Sequence, residues 1–532
     1  IKDPLPQSTA TMEFYDIGTA EPYAITGNAI SQRKRLVEVI RKKEKDSNYA
    51  TAYKNILEEV AYTWFNRLIA VRFMEVNDYL PSHIRVLSSE SGKIEPDLVT
   101  TPFDAELNFT SDEKETVLRL KTENKLDELF RLLVIKQCNA LNEILPVLFE
   151  QTNDYTELLL SLSVVDQEGV VYHLIHDIEE DNFNIEKGGQ VEIIGWLYQY
   201  YISEKHEEVV DPLHGKVVNK EDVPAATQLF TTDWVVRYII DNSLGRYWLE
   251  RHPESKLKFF VSSKTEPLKT VAEEIQPQDL TVFDPCIGSG HFLLYAFEVL
   301  MKIYFECGYS DRDAVRLIVD NNLYGIDIDD RAVQLAYFSV MMKARSYDRR
   351  FLGRGIQPNV YPVVESNYLS KNTLEYIAEK NTTIHNDIQT LLGVFTDAKE
   401  YGSIIQIPKI DFDGIYARFD EIENDISLFK EDALSSYLPL VNVARTLSQK
   451  YTVVATNPPY LNKYDAKLKS YVQNHYKDYG GDLFSVFIYR NFDFCKSNGY
   501  SGLMTPNVWM FIKSYEKLRH FLLEQKCIVT LV

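Results

Sequence analysis

The sequence predicts an α/β protein in which a doubly wound sheet follows a large, mainly α-helical N-terminal domain. Three observations predict it. Residues 1–225 read as mostly helical, short apolar runs alternate with helical stretches from Thr281 onward, and a glycine-bearing loop joins one such run to a helix. A length of 532 residues calls for more than one domain, and we divide the chain at 225/226.

In the first domain, residues 55–80 place Ile56, Val60, Trp64, Leu68 and Val71 on one side of a helix, and 126–149 and 191–202 repeat the pattern. Arg33-Lys34-Arg35 and Arg41-Lys42-Lys43 form a basic helix edge. It reads first as a solvated face and second as a contact for a nucleic-acid backbone. In the second domain, strands are expected at 281–283, 323–326, near 360–364, at 451–455, 500–504 and 528–532. Helices are expected at 291–307, 331–345, 483–496 and 514–523, with a helical insertion over about 371–449. Ligands of such sheets bind at the carboxyl ends of the strands.

Composition narrows the function. Hydrophobic residues make up 45% and charged residues 25%, with 34 Tyr and 27 Phe, so the chain folds rather than staying disordered. No apolar run reaches membrane-spanning length and no signal-peptide pattern opens the chain, so no membrane partner is expected. Cysteines 138, 286, 307, 495 and 527 form no C-x-x-C pair, which argues against a metal site and fits a reducing cytoplasm. The first residue is Ile and the last residues form an apolar run, so the natural protein is expected to extend further at both ends. A net charge of −21 by itself argues against a nucleic-acid partner. Residues 451–532, however, carry ten Lys/Arg against six Asp/Glu, which leaves the remainder at −25.

Two motifs outweigh the charge. Asp284-Pro285-Cys286-Ile287-Gly288-Ser289-Gly290 follows a strand and opens a helix. Gly288 and Gly290 let backbone turn sharply beside a ligand, and the helix start offers free N–H groups. A dinucleotide loop would carry a third glycine where Leu293 stands, which disfavours a pyrophosphate. Asp284 is placed to accept a hydrogen bond from an ammonium group, as S-adenosylmethionine presents. Asp327, at the end of the next strand, is placed for two ribose hydroxyls. Cys286 belongs to the loop and has no His or Asn partner that would make it a nucleophile.

The second motif is Asn457-Pro458-Pro459-Tyr460 after another strand. The prolines stiffen the turn, so an amide oxygen and a fixed carbonyl form a two-acceptor clamp. The matching guest is an NH₂ group whose lone pair is delocalised into a ring; two acceptors pull it toward tetrahedral geometry and free the lone pair. Tyr460 supplies a face for an unstacked base.

Together the motifs resemble the signature of amino-methylating DNA methyltransferases, with the glycine loop ahead of (D/N)-P-P-(Y/F). Upstream, Thr227-Gln228-Leu229-Phe230-Thr231-Thr232 resembles the family's cofactor-flanking Q-x-F-T-P segment, within 227–236, with Thr232 in place of Pro. That order is the gamma class, typical of N6-adenine enzymes. Ser366-Asn367-Tyr368-Leu369 resembles the motif whose polar residue meets the cofactor's adenine, here Asn367. Asp482-Leu483-Phe484, residues 502–507 and residues 511–521 resemble the later motifs. The helical front half, including Ile194-Gly195-Trp196-Leu197-Tyr198-Gln199-Tyr200-Tyr201, resembles the region before the methylase in PglX proteins of BREX phage-defence systems, relatives of type IIG restriction enzymes.

The resemblance implies a seven-stranded Rossmann-like methyltransferase sheet over 226–532. It implies S-adenosylmethionine as cofactor, double-stranded DNA and other BREX proteins as partners, and a C-terminal target-recognition domain outside this chain. It implies Asn457, Pro458, Pro459 and Tyr460 as catalytic residues. Thr231, Asp284, Cys286, Gly288, Gly290, Asp327 and Asn367 are the implied cofactor-binding residues, and no metal is implied. Three alternatives stand beside it: a type IIG enzyme with a nuclease, for which Glu254-Ser255-Lys256 is the nearest acid–lysine pair; a DNA-binding or scaffold subunit without turnover; and a glutamine methylase, whose amide NH₂ poses the same chemical problem.

Overall fold

The computed structural model describes residues 28–45, 48–150, 155–164, 166–209, 223–227, 231–261, 268 and 270–532. The chain divides into two compact units, Ile1–Ile194 and Gly195–Val532.

Among its described residues the first unit carries helices joined by turns and loops, and no strand. Helix α1 (Asn28–Glu44) ends on Arg41, Lys42 and Lys43, where cations offset the negative end of the helix dipole. Lys43 also pairs with Glu59 at 2.6 Å. Helix α2 (Tyr49–Val76) starts where the Asn48 side chain accepts from the N–H of Thr51, and it buries Ile56, Val60, Trp64, Leu68 and Val71 as their spacing predicts. Its last turns are buried on every side, and there Arg72 pairs with Glu75 at 2.8 Å and Glu180 at 3.1 Å.

The second unit is built on five parallel strands: β1 (Val282–Asp284), β2 (Leu323–Asp327), β3 (Asn359–Pro362), β4 (Tyr451–Thr456) and β5 (Cys495–Leu503), in the order β3-β2-β1-β4-β5. The seven-stranded sheet expected from the family resemblance is therefore five-stranded among the described residues. The sixth strand anticipated at 528–532 is not one: the run is apolar, but it lies exposed, with Leu531 59% and Val532 85% accessible, and it joins no strand of the sheet. A strand needs a free edge beside it as well as the right residues. β5 also begins earlier than expected. Cys495 pairs with Tyr451 before the register jumps to Tyr500 opposite Val453, so the intervening residues bulge out.

The insertion supplies helices Lys371–Ala378, Thr382–Val394, Phe412–Glu423 and Leu438–Ser448. Its Ile388, Leu391, Phe419 and Leu440 share one core with Phe283 of β1, Ile326 of β2 and Val454 of β4. The insertion is thus one of the covers that a buried parallel sheet requires. Helices α3 (His291–Glu306) and α4 (Asp330–Tyr347) also pack against the sheet. No helix among the described residues is long and apolar enough to cross a membrane. The glycine loop, Asp327 and the proline motif all fall at or just after the carboxyl end of a strand: Asp284 ends β1, Asp327 ends β2 and Thr456 ends β4.

Candidate functional site

The glycine loop is held through three of its backbone N–H groups. Asp284 Oδ1 accepts from the Cys286 N–H at 3.0 Å, Ile287 donates to the Ile326 carbonyl at 3.0 Å, and Gly288 donates to Asp327 Oδ2 at 2.9 Å. Gly288 and Gly290 both adopt positive φ, +51° and +93°, a conformation that favours glycine. A Cβ on Gly290 would stand 3.2 Å from Ala336, whereas one on Gly288 would meet nothing within 4 Å. The loop thus leaves open space over Gly288 at the start of α3.

Two carboxylates anchor the loop. Asp284 is fully buried, and desolvation pushes its carboxyl up from the usual 3.8 to about 7, with the negative charge of Asp327 adding to the shift. Its Oδ2 and the neighbouring Thr456 hydroxyl are both buried, and that hydroxyl and the Cys286 N–H oppose the rise. Desolvation likewise lifts Asp327 to about 6, opposed by the N–H groups of Asp329 and Gly288. Burial pushes the Cys286 thiol well above its ordinary value, so it stays protonated and is a poor nucleophile. Burial lowers His291 to about 4, which leaves its ring neutral.

A segment that the sequence places in the front half forms part of this site. In the helix Ile193–Val209, the buried Tyr198 hydroxyl donates to Asp329 Oδ2 at 2.5 Å. Asp329 caps α4, and its N–H donates to Asp327 Oδ1 at 3.0 Å. Gly195 lies against the glycine loop so closely that a Cβ there would be 2.5 Å from Ser289 Oγ. A glycine inside a run of bulky residues, Ile194-Gly195-Trp196-Leu197, is the one signal of this close approach that the sequence carries.

The second motif sits on the adjacent strand, since β1 pairs with β4. Asn457 Nδ2 donates to Thr231 Oγ1 at 3.1 Å. The Tyr460 hydroxyl lies 3.0 Å from Asn457 Oδ1 and 3.1 Å from the Met504 carbonyl, one donor shared between two acceptors. Burial pushes that phenol up to about 12, so it keeps its proton. The Tyr460 ring meets Phe484 edge-on at 6.1 Å. Downstream, Leu461 donates to Asp482 Oδ1 at 2.9 Å, and Asp482 also caps the helix Leu483–Phe494. Met504 returns to the turn by donating to the Thr456 carbonyl at 3.2 Å.

Of the residues singled out from sequence, Asp284, Cys286, Gly288, Gly290 and Asp327 form one cluster. Asn457, Pro458, Pro459, Tyr460 and Thr231 form a second at the end of the neighbouring strand. The Thr231 hydroxyl, expected beside the cofactor, is engaged with the Asn457 amide. Gln228, Leu229 and Phe230 of the same segment lie outside the described residues. Asn367 is exposed and its amide is committed in both directions to Asp397, donating to Oδ1 at 2.8 Å and accepting from the main chain at 2.9 Å. In the Glu254-Ser255-Lys256 stretch, Ser255 Oγ and the Lys256 N–H both bind Glu306, at 2.6 and 2.7 Å.

Residues 321–532 match the Eco57I restriction-modification methylase family. The chain is 38% identical to Adenine-specific methyltransferase PglX of Lacticaseibacillus casei (strain Zhang), over 98% of this chain and 45% of that protein. It is 35% identical to Adenine-specific methyltransferase BrxX of Escherichia coli O9:H4 (strain HS), over 95% of this chain and 44% of that protein. The chain spans less than half the length of these relatives.

Proposed function

We propose that this chain, a relative of the PglX and BrxX adenine-specific methyltransferases, carries the centre that methylates the N6 amine of adenine in double-stranded DNA, with residues 226–532 as its methyltransferase domain. The observation that carries the reading is the pairing of β1 with β4, which brings the Asp284–Gly290 loop and Asn457 to the same end of neighbouring strands.

S-adenosylmethionine, when bound, supplies a methyl group on a cationic sulfur. The residues fit it. The buried Asp284 carboxyl at the base of the loop suits an ammonium group, and the loop leaves space over Gly288. Asp327 would take the ribose hydroxyls. The neutral His291 and the protonated Cys286 bring no competing charge.

Asn457 Oδ1 and the main-chain carbonyl of the proline turn accept the two hydrogens of the target amine and concentrate its lone pair. Thr231 fixes the plane of the Asn457 amide. An amine inside a stacked duplex cannot reach these acceptors, so the target adenine swings out, and Tyr460 offers the face that receives it. Holding the amine beside the methyl donor supplies the proximity part of the rate.

We assign the activity to site-specific marking of host DNA in a BREX-type phage defence, with other BREX proteins as partners in the cytoplasm. The test is transfer of labelled methyl from S-adenosylmethionine to unmethylated DNA by the full-length protein, with the other defence components supplied. N6-methyladenine in the digested product is expected; label on cytosine, on protein, or nowhere overturns the reading.

A further inference from the structure

In a chain with a net charge of −21, four cations gather around one cavity of the second unit. The cavity, about 530 Å³, is lined by Lys409, Arg445, Lys450 and Arg490, with Asp493 as the single carboxylate in its wall. It lies at the amino end of β4. Lys450 immediately precedes Tyr451, and Arg490 and Asp493 belong to the last turns of the helix Leu483–Phe494. Asn457 stands past the opposite end of the same strand, roughly 20 Å away for a strand of this length.

These cations are poorly neutralised from within. Arg490 is 6% exposed; its Nη2 donates to the Ile405 carbonyl at 2.6 Å, its Nη1 pairs with Asp493 at 3.4 Å, its plane lies over the Phe494 ring at 4.2 Å, and its Nε has no hydrogen-bond partner among the described residues. The Lys450 ammonium bonds the Asp493 carbonyl, a neutral acceptor. Arg445 lies 3.9 Å from Asp413, whose side chain is 91% exposed and so well screened by solvent. A buried guanidinium short of acceptors costs desolvation energy that an anion would offset. The wall also carries the partly exposed apolar side chains of Ile407 and Ile410.

We propose that this cavity binds a nucleoside polyphosphate. Its volume lies in the range of small-ligand sites. Four cations against Asp493 in the wall and Asp413 beside Arg445 leave an excess of two positive charges, which favours a polyphosphate, and guanidinium groups take phosphate oxygens in pairs. The apolar side chains give the base a surface. The methyl donor is a different ligand, cationic at its reacting centre and assigned to the opposite end of the strand.

The test is calorimetric titration of the full chain with ATP at ~0.15 M salt, where we expect a Kd below ~1 mM. The double variant Lys409→Glu/Arg445→Glu should weaken ATP binding at least ~10-fold while S-adenosylmethionine binding and the melting temperature stay unchanged. Should that variant melt early, Arg490→Lys, which keeps the charge but loses the paired donors, decides between the outcomes by weakening ATP binding. No heat beyond a matched sodium sulfate control overturns the proposal, as does ATP binding that the variants leave intact. Inorganic tripolyphosphate binding as tightly as ATP overturns the nucleoside assignment. A duplex oligonucleotide that binds through these cations when ATP does not overturns it in favour of a nucleic-acid contact.

Discussion

The ends of β1 and β4 are neighbours, yet their polar groups are in opposite conditions. At the ends of β1 and β2, two carboxylates are desolvated and raised, and Asp284 is buried against the Thr456 hydroxyl of β4. At β4, the Asn457 amide rests on Thr231 and on Tyr460, and Tyr460 also reaches Met504. The first end is under electrostatic stress that a ligand relieves, so binding there gains both the contact and the relief. The second end is at rest, so a target amine must displace or share an existing partner. Under the proposed function, the contrast is that of a donor site prepared in advance beside an acceptor site that is internally capped until a base arrives.

The largest expected effect tests the resting end. Asn457→Ala removes one of the two acceptors and should cut methyl transfer by ~10³-fold or more while S-adenosylmethionine affinity changes less than ~3-fold. Label transfer read beside calorimetry separates the two; transfer that survives the substitution breaks the comparison at its centre. Next comes the stressed end, where Asp284→Asn should weaken S-adenosylmethionine binding by ~100-fold and yet stabilise the ligand-free chain. The folded state holds the Asp284 proton up to about pH 7, whereas the unfolded chain releases it near 3.8. Between those values the folded state binds more protons, so stability falls as pH rises from about 4 to 7. Above pH 7 the isosteric amide should return up to ~4 kcal/mol. Melting curves at pH 5 and pH 8 decide it: a variant that melts lower than the wild type at pH 8 contradicts the claim of stress.

Thr231 sharpens the line between the two ends. If its hydroxyl serves the Asn457 amide, Thr231→Val should lower kcat by ~10-fold with S-adenosylmethionine binding intact, and Thr231→Ser should restore most of the rate. If it serves the cofactor instead, the valine variant will lose affinity for S-adenosylmethionine first.

What is legible in the sequence is what lies close together along it. Asp284 to Gly290 and Asn457 to Tyr460 are contiguous, so both motifs, and their places after β1 and β4, are visible in residue type and order alone. The alternation of strands and helices reveals the sheet for the same reason. Contacts between distant residues are not legible. Thr231 and Asn457 are 226 positions apart, and Tyr198 reaches Asp329 across 131, so neither partner can be named from spacing. The start of β5 is hidden because a bulge breaks the alternation between Cys495 and Tyr500. The run at 528–532 has strand composition but no paired edge, a property of the surroundings rather than of the run. Asn367 keeps its motif position, but the side chain that engages it, Asp397, lies in the insertion.

The smallest expected effect comes from Tyr460→Phe. The phenol keeps its proton and shares it between Asn457 Oδ1 and the Met504 carbonyl. A hydrogen bond donated to Oδ1 draws electron density from the oxygen that has to accept from the target amine. Removing the hydroxyl frees that acceptor and leaves the ring face for stacking, so kcat should stay level or rise by up to ~3-fold. Tyr460→Ala, which removes the face as well, should instead weaken the hold on the extruded base by ~1–3 kcal/mol. Single-turnover rates on one DNA duplex read both. A phenylalanine variant as inactive as Asn457→Ala would make the hydroxyl part of the clamp itself, and the resting end would then be already assembled for chemistry rather than capped against it.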